Sequence, residues 1–243
     1  MTLDEIVASL FPEGHDVATE AGGLVAGEGV LAGAPVAVIG VTNATPLGVE
    51  GALSLAAHVL AVIRAGRTKP ILVLVDSGSQ RMRRRDELLG LNEYLAHLAK
   101  CLLLADREGH PTVGLLFGHS AAGAFLATAL ATRVLVAMPD AQPTVMDLPS
   151  IARVTKLPLD MLETMAKRTP VFAPSLENLV RIGAVSSVLD PKRPLDAQLS
   201  EVLAVIAADR VDRRDMLGEA RTGRLRAAAI ARRVCEEAER HDR

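Results

Sequence analysis

The sequence predicts a layered α/β fold, and three observations point to it. Of the 243 residues 49% are hydrophobic but only 2% are aromatic, so the core is built from Ala, Val, Leu and Ile at close helix and strand contacts. Short apolar runs bounded by Pro and Gly, Ile71 to Val75 and Val113 to Phe117, are too brief for helices and have the unbroken hydrophobicity of strands buried on both faces. Helical patterns alternate with them, giving strand, strand, helix, then strand, helix, strand, helix, and a helix-rich C-terminal part. One hydrophobic core accommodates this length. The expectation is a single domain over residues 1–243, with an N-terminal arm over 1–20 and a helical tail over 209–243.

In chain order, Met1 to Val17 reads as an amphipathic helix or arm ending near Pro12 and Gly14. Leu24 to Leu31 and Pro35 to Thr42 form a strand pair around the turn AGAP. A helix follows over Val49 to Arg64, with Leu53, Ala56, Ala57, Leu60 and Ile63 on its apolar face. After Pro70 comes the strand Ile71 to Val75, then a turn-rich loop, DSGSQ, then the basic run Arg81 to Arg85 and a helix from about Glu87 to Arg107. The stretch Pro111 to Ala131 organises the rest: a core strand, a tight turn at Gly118, Ser120 as a helix cap, and a helix over Ala121 to Ala131. Its side chains are small or apolar on every side, which suits a helix sheathed by protein. A strand over Val134 to Met138 and the loop PDAQPTVMDLPS lead to two short helices around Ile151 and Met161. A third helix, Ser175 to Ile182, ends at Gly183. A strand over Val185 to Leu189 and a helix over Asp196 to Ala208 follow. The charged tail, about Gly223 to Arg240, carries a narrow apolar stripe of Leu225, Ala228, Ala229 and Val234 that suits docking on this chain or a neighbour.

Composition narrows the function. A net charge of −2, one Tyr and no Trp, with a pI near 6.3, supply neither the basic surface nor the stacking platforms of nucleic-acid binding. Cys101 and Cys235 lie far apart and lack the spacing of zinc ligands, so they read as thiols in a reducing compartment and no metal site is expected. Asp4 and Glu5 stand where a signal peptide carries Lys or Arg, which makes a cytoplasmic protein the expectation. Gly109 to Thr132 lacks charged side chains, but it divides into strand and helix and is not read as a membrane span.

The first N–H groups of the helix after Ser120 have no intrahelical partner and sit at the positive end of its dipole. Ala121, Ala122 and Gly123 therefore offer backbone donors to a developing negative charge. A packed strand-to-helix corner, small because it is crowded, is the other reading. A second donor from Gly78 or Ser79 would converge on the first, since DSGSQ leaves the carboxyl end of one core strand as GHSAAG leaves another. The cluster Arg81, Arg83, Arg84 and Arg85 suits a phosphate or an acidic carrier surface; the alternative is a solvated helix start paired with Asp86 and Glu87. Gly118-His119-Ser120-Ala121-Ala122 has almost the spacing of a hydrolase elbow. Yet His241 is the only His downstream of Ser120, so capping is the preferred role. Gly27, Gly29 and Gly33 miss the dinucleotide spacing and read as hairpin glycines. Asp140, Asp147 and Glu163 are loop carboxylates that form no general-acid pair.

Five segments, VAGEGVLAGAPVAVIGVTN, PILVLVDSGSQ, HPTVGLLFGHSAAGAFLATAL, RVLVAMPDAQPTVMD and LVRIGAVSSVLDP, in this order and spacing resemble the carboxyltransferase branch of the crotonase superfamily. Within it they most resemble the malonate decarboxylase gamma subunits of the biotin-independent type, from about Val25 to Leu203. The resemblance implies a crotonase-like (ClpP/crotonase) core of repeated β-β-α units, and a homologous beta subunit that shares the active site. It also implies an acyl carrier subunit whose phosphopantetheine-type, CoA-like arm bears malonyl as a thioester, and an acyl-transferase subunit. No redox cofactor is implied. Carried over by position, Ala122 and Gly123 match the paired small residues at the helix start, and Gly78 with Ser79 match the first-loop donor. Ser120, Ala121, Arg81 and Arg84 are the expected substrate-binding residues. Two departures stand out: Ala122 occupies a position often held by Gly, and Phe125 and Leu126 follow where hydratases place a glutamate, which argues against hydration. Transfer of CO2 to biotin and a catalytically silent structural subunit remain as alternative roles.

Overall fold

The computed structural model describes residues 1–168, 175–209 and 211–241, and they form two compact units. The larger comprises Met1–Met146 and Ser187–Arg210. Its centre is a seven-stranded sheet of spatial order β1-β2-β3-β4-β5-β7-β9. The strands are β1 (Ala18–Glu20), β2 (Leu24–Leu31), β3 (Ala34–Leu47), β4 (Ile71–Gln80), β5 (Thr112–Leu116), β7 (Val134–Ala137) and β9 (Ser187–Val188), while β6 (His119–Ala121) and β8 (Gln142–Thr144) pair separately. The first three strands are antiparallel and every later pair is parallel. This follows from the connections: the β2–β3 turn is short, with Ala32 and Gly33 at positive φ, whereas helical crossovers separate the later strands.

The N-terminal segment belongs to the core. Helix α1 (Leu3–Leu10) opens with a capping box between Thr2 and Glu5, and Ile6, Val7, Leu10 and Phe11 join the main hydrophobic cluster with Leu72, Leu74, Val113 and Leu115. Gly29 lets the Phe11 ring sit on β2, since a Cβ there would lie 2.3 Å from the ring. Helix α2 spans Val49–Arg64 as the sequence predicts, but buries Val49, Ala52, Leu55, Ala56 and Val59, and leaves Leu53 43% exposed. The buried stripe is rotated from the expected one and shares only Ala56 with it.

Three further boundaries differ from expectation. The helix expected from Glu87 is two, α3 (Arg84–Leu88) and α4 (Leu91–Arg107), broken at Gly90, whose φ of 78° only Gly adopts freely. DSGSQ is the end of β4 and not a loop: Ser77 and Gln80 pair with Thr45 and Leu47 of an equally extended β3 through shifts in register. The central helix α5 is short, Ala122–Ala127, with Ala121 at its N-cap. Ser120 lies in β6 and does not cap it.

Helix α9 (Leu195–Ala208) buries Leu195, Leu199 and Ile206 in the larger unit. The smaller unit, Asp147–Ser186 with Val211–Arg243, holds α6 (Leu148–Thr155), α7 (Leu159–Arg168), α8 (Leu176–Arg181), α10 (Arg214–Ala220) and α11 (Ala227–His241). Glycines let its chain segments touch: a Cβ on Gly183 would meet the Arg214 carbonyl at 2.0 Å, and one on Gly223 the Arg181 carbonyl at 2.1 Å. The Arg221 guanidinium donates to the carbonyls of Val180, Val185 and Ser186. Leu225, Ile230 and Val234, on or just before α11, are exposed.

Candidate active site

Two strand ends meet at the carboxyl edge of the parallel sheet. The apolar run of β4 is buried through Val75, and the strand then turns polar at Asp76. The Asp76 carboxylate works as a strap. One oxygen accepts the Ala44 N–H at 3.2 Å, where β3 bends through Asn43 and Ala44 at positive φ; the other accepts the His119 N–H at 2.9 Å. Gly118 makes room for it, since a Cβ there would lie 2.2 Å from an Asp76 oxygen. A bridging carboxylate thus fixes three segments before any ligand is considered.

Beyond Asp76, Gly78 lies flat against the bend of β3, where a Cβ would approach the Ala44 carbonyl to 2.9 Å. The Ser79 hydroxyl donates to the Gln80 carbonyl at 3.0 Å. The Gln80 carboxamide then crosses to the other strand end, and its Oε1 accepts the Gly123 N–H at 2.9 Å. This contact replaces a cap. The N-cap residue, Ala121, has no side-chain oxygen, so the orphan donor of the first turn is satisfied by a residue 43 positions away. Ala122 sits at φ 50°, a left-handed conformation that costs a residue with a Cβ about 1–2 kcal/mol.

Arg81 is structural. Its guanidinium grips Asp86 with Nε at 2.9 Å and Nη2 at 2.7 Å, and also pairs with Glu50, which in turn pairs with Arg85. Asp86 is fully buried and accepts the Val49 N–H at the start of α2. The hydrogen bonds from Arg81 hold its carboxyl down to about 2 against the opposing effect of burial. Glu50 is likewise held down to about 2, chiefly by Arg85, and Arg81 is pushed above its ordinary value by Asp86. Arg84 is exposed.

A cavity of about 780 Å³ opens beside these residues, between the β1–β2 turn, the β3–α2 connection and the end of β4. Leu24, Pro46 and Leu47 form apolar wall, and Ser79, Gln80 and Arg81 line it from the strand end. Of the expected site residues, Ser79 and Arg81 therefore reach the cavity, whereas Gly78, Arg84 and Ser120 to Gly123 do not line it. Ser120 is 1% exposed and its hydroxyl has no hydrogen-bond partner, so no imidazole is in place to take its proton. Among the described residues there is no group of three His, Cys, Asp or Glu side chains that could hold a metal ion, and no helix is long and apolar enough to cross a membrane.

Gln80 and Asp76 were not among the residues expected to act. Asp76 carried a readable signal, a carboxylate directly after a buried run, at the strand edge where α/β sheets bind ligands. Gln80 carried none, because its partner is remote in sequence.

The family model described as the malonate decarboxylase gamma subunit matches residues 42–238. The chain belongs to that family. The malonyl-S-ACP:biotin-protein carboxyltransferase of Malonomonas rubra is 28% identical over 197 residues, covering 74% of this chain and 68% of that protein. Among solved structures, a chain of the Pseudomonas malonate decarboxylase hetero-tetramer in complex with coenzyme A is 25% identical, with a TM-score of 0.80 over 96% of this chain and 98% of that one. The Pseudomonas MdcD-MdcE hetero-dimer gives 26% identity and a TM-score of 0.74 over 96% and 98%. The transcarboxylase 12S core, at 19% identity and a TM-score of 0.68, covers 84% of this chain and 41% of its own and shares the fold. The crotonase-like fold implied by the five segments is therefore the fold of this gamma-subunit family member.

Proposed function

We propose that this chain works as the gamma half of a beta–gamma pair that decarboxylates a malonyl group held as a thioester on the phosphopantetheine-type arm of an acyl carrier subunit. An acyl-transferase subunit loads that carrier, and the complex is cytoplasmic. The bond from the methylene carbon to the carboxylate breaks, CO2 leaves, and the electron pair moves into the thioester carbonyl; a proton then converts the enolate to acetyl thioester. The barrier falls where that oxygen meets preorganised donors away from bulk water.

The observation that carries this reading is the hydrogen bond from Gly123 to Gln80. This bond ties the end of β4 to the start of α5, the two segments whose convergence the reading requires, and marks the Gly123 N–H as a donor that takes a carbonyl-type oxygen. The cavity suits the carrier arm, with apolar wall from Leu24, Pro46 and Leu47 along its length and Ser79 and Gln80 near the acyl end. Transfer of CO2 to biotin is the second reading, and the name of the Malonomonas rubra relative favours it.

The test is CO2 release from malonyl carrier thioester by the complex that co-purifies with this chain, with and without excess avidin. Release that persists with avidin, with acetyl thioester as product, is expected. Loss confined to the avidin arm assigns transfer to biotin, and no release in either arm refutes both readings.

A further inference from the structure

At Gln80 only one end of the carboxamide is used inside the protein. Oε1 accepts the Gly123 N–H, and because only the oxygen can accept, this contact fixes which branch of the amide is Nε2. Nε2 makes no hydrogen bond to the described residues. It is also absent from the buried polar atoms without partners, which are the hydroxyls of Ser77, Ser120 and Thr144 and Nδ1 of His58. An unpartnered amide nitrogen that is not fully buried is reached by solvent, and Gln80 is one of the residues that line the cavity of about 780 Å³.

We infer that Gln80 presents its Nε2 hydrogens to the cavity as the donors for an anionic acyl oxygen, with Gly123 as the anchor that aims them. The inference rests on the decarboxylase reading for the identity of that oxygen, the malonyl carboxylate or the developing enolate. The surroundings make the carboxamide a preorganised group. Ser79 bonds the Gln80 carbonyl on one side, and Arg81 is locked to buried Asp86 on the other. A Cβ on Gly123 would lie 3.2 Å from Oε1 and 3.3 Å from Leu95, so a side chain there would press on the amide. The Gly123 N–H draws electron density towards Oε1 and so strengthens Nε2 as a donor. The Gly123 N–H, which does not itself line the cavity, thus acts there through one side chain. The rival is a plug: Gln80 only caps α5, and substrate displaces it to reach Gly123 directly.

The two are separated in the co-purified complex by Gln80→Glu and Gln80→Ala, with malonyl-CoA as a soluble probe followed by calorimetry, CO2 release and thermal melting. Gln80→Glu keeps an acceptor for Gly123 and removes both donors. It is expected to hold the wild-type Tm while kcat/KM falls about 10²-fold and affinity falls about 10-fold or more. Gln80→Ala is expected to lose activity similarly and to melt lower. Wild-type affinity and turnover in Gln80→Glu, or a gain in Gln80→Ala, overturns the inference. If the wild type binds the probe without releasing CO2, the decarboxylase reading fails, yet weaker binding by Gln80→Glu upholds the donor role and unchanged binding overturns it. A wild type that neither binds nor turns over overturns both.

Discussion

The end of β4 and the β6–α5 corner face the same place and are held in opposite ways. β4 leaves the core through three side chains that reach other segments, Asp76 to two backbone N–H groups, Gln80 to Gly123, and Arg81 to Asp86 and Glu50, while Ser77 between them is buried with an unpartnered hydroxyl. The corner has almost no side chains to use. Ser120 is buried without a partner, Ala121 cannot cap, and Ala122 bears the strain of φ 50°. Every hydrogen bond that the corner makes to β4 comes from its backbone, at His119 and Gly123. The difference teaches that the polar chemistry of this site lies on one strand end, while the other contributes closeness of approach and aimed N–H groups.

If that division is right, the largest structural effect comes from Asp76→Ala, which frees both segments at once. Two hydrogen bonds to a charged group are lost, and unfolding in denaturant is expected to show about 3 kcal/mol of destabilisation together with loss of CO2 release; a wild-type denaturation curve breaks the comparison. Next is Arg81→Ala, which leaves Asp86 charged and buried and is expected to lower Tm by about 5 °C or more. Exposed Arg84→Ala should leave the melting curve in place. The same network sets an acid limit. The folded pKa values of Asp86 and Glu50 lie near 2, below the roughly 4 of unfolded carboxylates. The stabilisation is therefore complete above about pH 4 and is lost as pH falls towards 2, an acid transition that Arg81→Ala should flatten. The smallest effect sharpens the contrast from the corner side: Ala122→Gly relieves the left-handed strain and is expected to raise stability by up to about 1 kcal/mol, read in the same denaturation experiment.

Much of the fold was legible because its signals are local. Ile71 to Val75, the α2 boundaries and Gly183 as the end of α8 follow from apolar runs, periodicity and a φ of 82° that favours Gly. Where the sequence misled, a distant partner decided. DSGSQ has the composition of a turn, yet β3 beside it is long enough to keep it extended. Ser120 looks like a cap, but pairing of β6 with β8 takes it into a strand. The segment at Leu3–Leu10, without an evident role in the sequence, is core because the main cluster receives Ile6, Leu10 and Phe11. At the site, small residues at 121–123 and the DSGSQ segment were visible, and their meeting was expected. The residue that joins them was not, since nothing near Gln80 marks Gly123 as its partner.

The central claim is that this chain contributes to catalysis and is not a scaffold for a partner. It is tested most directly by placing Gly123→Leu in the assembled complex, with assembly checked by size-exclusion chromatography and CO2 release measured from malonyl carrier thioester. The added side chain meets Gln80 and Leu95 at the point where the strand ends join. An intact complex with release reduced about 10²-fold or more is the predicted result. An intact complex with wild-type release would contradict the account and leave this chain a structural subunit.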